Sequence, residues 1–104
     1  MANLSMLYVT FPDEETATSI GHTLLDFKLI ACINLFPIHS MYLWQGKKES
    51  GKEIIGLMKT TTDKSDLCIT KIKELHPYEV PCILHTTWSA NDEYFEWLQK
   101  EIKS

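Results

Sequence analysis

The stretch from Ile30 to Thr61, IACINLFPIHSMYLWQGKKESGKEIIGLMKTT, decides the fold. Ile30 to Trp44 is long, apolar and rich in Ile, Leu, Phe, Tyr and Trp, residues that suit a pleated, half-buried surface. Pro37 interrupts this run and lacks a ladder donor, so the strand needs a bulge there or a place at a sheet edge. Gln45 to Lys52 is a polar turn with two glycines. Glu53 to Thr61 then returns as a second strand, making a hairpin whose arms exceed the usual ~5–6 residues. Ile33, Leu35, Leu43, Ile55 and Leu57 alternate with Phe36, Tyr42, Trp44, Ile54 and Met58, so both faces of the arms are apolar.

Working outward, Leu4 to Phe11 is a β-rich apolar run ended by Pro12. Asp13 is placed to cap a helix, with Glu14 and Glu15 in the first turn, where the helix dipole favours acidic groups. Ala17, Ile20, Leu24 and Phe27 follow at helical spacing as a buried stripe, with Gly21 and His22 off it and His22 in solvent. After the hairpin, Asp63 is expected to cap a second helix with Asp66 three residues on. The buried face of that helix is Cys68, Ile72 and Leu75, and His76 ends it because a residue before proline leaves the α region. Val80 to Trp88 is another strand. Ser89 or Asn91 opens a last helix carrying Tyr94, Trp97, Leu98 and Ile102.

The order β-α-β-β-α-β plus a terminal helix predicts an α+β fold: a ferredoxin-like split β-α-β antiparallel sheet with a long hairpin and a C-terminal helix. In that architecture two helices cover one face of the sheet and leave the other open. With apolar strands on both faces, the open one needs a partner, and self-association is the expected solution.

The 104 residues, 44% hydrophobic and 23% charged, suit one soluble domain spanning 1–104. A net charge of −4 argues against a phosphate grip, so no nucleic-acid partner is expected. No segment reaches the ~20 apolar residues of a membrane span. MANLSMLYVTF lacks the basic region and cleavage site of an export signal. Cys32, Cys68 and Cys82 are odd in number and widely spaced, which speaks against a disulfide framework and for a reducing cytoplasm.

The chemistry-bearing residues are few. Cys32 lies inside an apolar strand and Cys68 on a buried helix stripe, where free cysteine is ordinary filler. Cys82 follows Pro81 at a strand start, and no two cysteines have the close spacing of a structural zinc site. His76 is either a helix-terminal cation meeting the dipole or an imidazole donor suited to Cu or Zn. His39 and His85 are strand residues without a dense ligand cluster. Glu53 and Lys59 share one strand face by parity, as an ion pair or as an anion site. Tyr42, Trp44 and Tyr78 either line a cleft or pack between subunits. In "HPYEVPCIL", His76 to Leu84, two prolines stiffen the path from helix to strand, with His76 and Cys82 on either side. No nucleophile elbow, glycine-rich phosphate loop or H-E-x-x-H is present, so no enzymatic activity is expected.

"ACIN" at Ala31 to Asn34, Pro37, "SMYLWQG" at Ser40 to Gly46, Glu53, "KTT" from Lys59, "HPYEVP" at His76 to Pro81 and Tyr94 with Trp97 together resemble the CutA divalent-cation-tolerance family. The resemblance implies a ferredoxin-like subunit in a tight homotrimer, with clefts at subunit boundaries and a likeness to the PII signalling proteins. It implies a role in tolerance of copper and other divalent ions, with no required cofactor and metal contacts at Cys32 and His76. The alternative is a PII-like sensor or scaffold that takes a small anionic metabolite or a partner protein at the cleft lined by Tyr42, Trp44, Glu53, Lys59 and Tyr78. Two positions depart from the pattern. Cys82 stands where an acidic residue is usual, and Ala90 where a glycine is common. At Cys82 a soft sulfur replaces a hard oxygen, which favours Cu(I) over Mg²⁺.

Overall fold

A computed structural model describes residues 1–103. Seven elements follow the predicted order: β1 (Ala2–Phe11), α1 (Glu14–Asp26), β2 (Cys32–Trp44), β3 (Lys47–Thr60), α2 (Ser65–Leu75), β4 (Ile83–Ala90) and α3 (Asp92–Lys103). The four strands form one antiparallel sheet in the order β2-β3-β1-β4. β2 is therefore an edge strand. The ladder from Cys32–Lys59 to Trp44–Lys47 runs without a bulge through Pro37, whose missing N–H is tolerated at the edge.

The turn is shorter than the sequence suggested. Gln45 and Gly46 both have positive φ, 51° and 79°, the backbone of a two-residue hairpin turn whose twist matches its strands. Lys47 to Lys52, expected in the turn, instead pair with Trp44 to His39 and extend both arms. This register sets odd residues of β3 opposite even residues of β2. Ile54 and Met58 thus share a face with Ile33 and Leu35, while Ile55 and Leu57 lie with Phe36, Tyr42 and Trp44.

α1 begins where Asp13 accepts a 2.7 Å bond from the Thr16 N–H, which holds its carboxyl below the usual range. Ala17, Ile20 and Leu24 are buried as expected; Gly21, expected off the stripe, is buried as well, against Ile33. Phe27 is not in the stripe. The helix stops at Asp26, Lys28 turns to φ 56°, and Phe27 is 60% exposed beneath the Lys71 ammonium. Asp63 does not cap α2; that end carries no side-chain cap, and Ser65 Oγ donates to the Thr62 carbonyl. Cys68 and Ile72 are buried, whereas Leu75 is partly exposed. β4 begins at Ile83, after Pro81, rather than at Val80, which is exposed. Asn91 precedes α3, its carbonyl accepting from the Phe95 N–H.

Leu7, Val9, Phe11 and Met58 pack with Ala17, Ile20, Leu24, Cys68 and Ile72 as the core beneath α1 and α2. The opposite face is not fully open. α3 returns across it and buries Leu98 and Ile102 against Leu4 and Met6. Beyond α3 that face still shows Leu84 at 57% and Trp88 at 56% exposure, with Phe36, Tyr42 and Trp44 partly exposed.

A Cβ on Gly56 would stand 2.9 Å from the ring of buried Phe11 and 3.1 Å from Ile33. Gly56→Ala is expected to destabilise by about 1–3 kcal/mol in urea unfolding; an unchanged midpoint would mean that the core yields there. Burial pushes the Cys68 thiol from 9.0 up to about 12. The unfolded chain then loses this proton first, so the stability is full below pH 9 and falls as pH rises from 9 towards about 12. Cys68→Ala should flatten that slope in unfolding midpoints measured across alkaline pH. An identical slope would contradict the burial.

Candidate functional site

The loop between α2 and β4 is clamped to the sheet by His76, which is buried. Its Nε2 lies 2.7 Å from the Thr10 carbonyl, which can only accept, so Nε2 carries the hydrogen. Nδ1 accepts the Tyr78 N–H at 3.1 Å. The ring also stacks on Phe11 at 5.1 Å, and the Tyr78 ring tilts against it at 4.7 Å. Both ring nitrogens are thereby engaged with the backbone. A metal bond from His76 would displace one of these partners.

Tyr78, held between Pro77 and Pro81, reaches across to β3 and donates its hydroxyl to Glu53 Oε2 at 2.6 Å. Burial first, and this acceptor second, raise the phenol well above its ordinary range. The loop and the base of the hairpin enclose a groove of about 760 Å³. Tyr42, Trp44, Glu53, Tyr78 and Cys82, all singled out from the sequence, line it. His39, Glu49 and Glu79 line it too, and no lysine does. Burial, then the Glu53 carboxylate, push the Cys82 thiol up. Glu49 escaped the sequence reading because it was assigned to a turn. The Gln-Gly signal would have put it in the ladder, opposite Tyr42.

Lys59 does not belong to this groove. It pairs with Cys32 in the ladder, six residues along β3 from Glu53, on the order of 20 Å away. No Glu53–Lys59 ion pair forms. The Lys59 ammonium instead donates to Asn34 Oδ1, lies 3.7 Å from Cys32 Sγ and sits 6.0 Å over the Tyr94 ring. Burial and a hydrogen bond with Cys32 raise the Tyr94 phenol to about 12. Cys32 is half-buried at this second cluster. His76 is tied to Thr10, whose ladder partner Ile55 is four residues, roughly 13 Å, along β3 from the partner of Cys32. Within one subunit these two candidate ligands cannot share an ion. Among the described residues no three His, Cys, Asp or Glu side chains converge as a metal shell.

The clamp has a spectroscopic signature. Imidazole ¹⁵N spectra should show His76 as the Nε2–H tautomer, and His76→Ala should cost about 1–3 kcal/mol by stranding buried partners. An Nδ1–H tautomer would contradict the assignment.

The family model for the CutA1 divalent ion tolerance protein matches residues 5–101. The divalent-cation tolerance protein CutA of Pyrococcus horikoshii is 42% identical, over 94% of this chain and 97% of its own length. The CutA homolog of Danio rerio is 35% identical over 94% of this chain and 67% of that protein. The crystal structure of Pyrococcus horikoshii CutA1 matches with a TM-score of 0.90 at 41% identity, covering 93% of this chain and 96% of that one. A structure from Archaeoglobus fulgidus, of a CutA described as periplasmic, matches with a TM-score of 0.92 at 32% identity, covering 97% of this chain and 99% of that one. Matched by the family model over nearly its whole length and similar to these proteins in both sequence and fold, the chain belongs to the CutA1 divalent ion tolerance family.

Proposed function

We propose that this chain works as a homotrimer that binds divalent and soft metal ions, copper among them, as cargo rather than as a resident cofactor, and that it supports metal tolerance without enzymatic chemistry. The observation that carries the reading is the groove, where a half-buried thiol, Cys82, lies beside the Glu53 carboxylate with no lysine in the lining. A thiol and a carboxylate make an incomplete shell, so the site is weak within one subunit and gains further donors where subunits meet. The sulfur favours Cu(I) over hard ions. Cys32 and His76 stand as separate points of contact, His76 only if its clamp opens.

The trimer is supported by the apolar surface left on the α3 side of the sheet, around Leu84 and Trp88, and by hairpin arms longer than one subunit's sheet uses. All three thiols are free, which suits a reducing compartment such as the cytoplasm. The alternative of a PII-like sensor for an anionic metabolite is disfavoured by charge. Glu49, Glu53 and Glu79 face the groove, Lys59 is elsewhere, and the chain has no arginine to clamp an anion. A partner protein remains compatible with the same exposed surface.

Native mass spectrometry of the reduced protein, before and after copper loading and removal of excess, tests both parts. A trimer retaining a fixed number of ions, reduced by Cys82→Ser and by Glu53→Gln, is the expected result. A bare trimer would overturn the metal reading. Leu84→Glu is expected to shift the mass to monomer by placing a charge in a covered face; a persistent trimer would move the interface off this surface.

A further inference from the structure

The groove has more acidic character than a small metal ion uses. Glu49 and Glu53 lie on the same face of β3, four residues apart, so their carboxylates are spaced on the order of 13 Å along the strand. Glu79 adds a third carboxylate from the opposite wall. Three carboxylates that do not converge as metal ligands line one groove, and the Lys47 ammonium, whose residue pairs with Trp44 in the ladder, is outside the lining. Tyr42 and Trp44 from β2 and Tyr78 from the loop add aromatic rings to a wall that Thr10, His39, Ser40, Met41, Val80 and Cys82 complete. Glu53 is already fixed in place by the Tyr78 hydroxyl. The volume, about 760 Å³, falls within the range of small-ligand sites.

Separated carboxylates, aromatic faces and no competing ammonium in the lining match an extended organic cation rather than a compact one. Each ammonium group meets a carboxylate, and the methylene chain between them lies against the rings. We infer that this groove binds a linear polyamine, a class of ligand distinct from the metal cargo proposed above. The inference does not rest on that reading, because Glu49, Glu79 and Trp44 carry it rather than Cys82.

Calorimetric titration of the reduced, assembled protein with spermidine, putrescine and inorganic phosphate tests it. Spermidine is expected to bind more tightly than the shorter putrescine, and phosphate not at all. Glu49→Gln should weaken spermidine binding about tenfold and Trp44→Ala about three- to tenfold. Glu14→Gln, a surface change on α1, should leave it unaltered. Equal weakening by Glu14→Gln would reduce the effect to general surface charge and overturn the inference. So would equal affinity for the two amines, or an absence of binding because a neighbouring subunit fills the groove. Copper retention in the same samples is expected to depend on Cys82 and Glu53. Loss of one readout without the other therefore separates failure of this inference from failure of the metal reading.

Discussion

The pairing register of β2 with β3 is the constraint on which everything else rests. Two residues in left-handed conformation, Gln45 and Gly46, close the hairpin and fix that register for thirteen successive pairs. Because side chains alternate, a slip of one residue would exchange the faces along the whole length. Because β1 holds β3 in a register of its own, it is β2 that would turn over: Ile33 and Leu35 would leave the core beneath α1 and α2, and Tyr42 and Trp44 would leave the groove. Gly56 reports how tightly the register is enforced, since the Phe11 ring and Ile33 close over its bare Cα. One short turn therefore sets both the packing of the core and the chemistry of the candidate site.

The second fixed point is the His76 clamp. The histidine, expected as a metal donor or a helix-terminal cation, connects a β1 carbonyl to the Tyr78 amide. With Pro77 and Pro81 on either side, the loop has little freedom, and Tyr78 is delivered to Glu53. Preorganisation of this kind lowers the ordering cost of a bound ligand. It also explains why the candidate chemistry gathers at the groove while Cys32 and Lys59 form a separate cluster further along the sheet.

Much of this was legible in the residues. The apolar runs, the Asp13 cap and the proline after His76 specified the element order, and the motifs from ACIN to HPYEVP carried the family. The failures have physical causes. Lys47 to Lys52 read as a turn because charged residues are depleted in strands, but an overhanging hairpin keeps such residues in solvent while its backbone stays paired. Phe27 fell on a helical stripe that ends one residue earlier. α3 was placed correctly but not assigned to a face, since a helix's packing partner is a tertiary fact. Glu53 and Lys59 share a side by parity, yet parity says nothing of the distance that keeps them apart. The acidity of the groove depends on Glu49 from the hairpin and Glu79 from the loop lining the same space, which no local pattern records.

That acidity is the claim most directly open to measurement. Paramagnetic relaxation of backbone amides can be compared for a cationic and an anionic nitroxide of the same size, at equal concentration and low ionic strength. Stronger relaxation by the cationic probe is expected at residues 78–82 and around Glu49 and Glu53, despite the neighbouring Lys47, Lys48 and Lys52. Equal relaxation by the two probes, or a preference for the anionic one, would contradict a cation-binding groove.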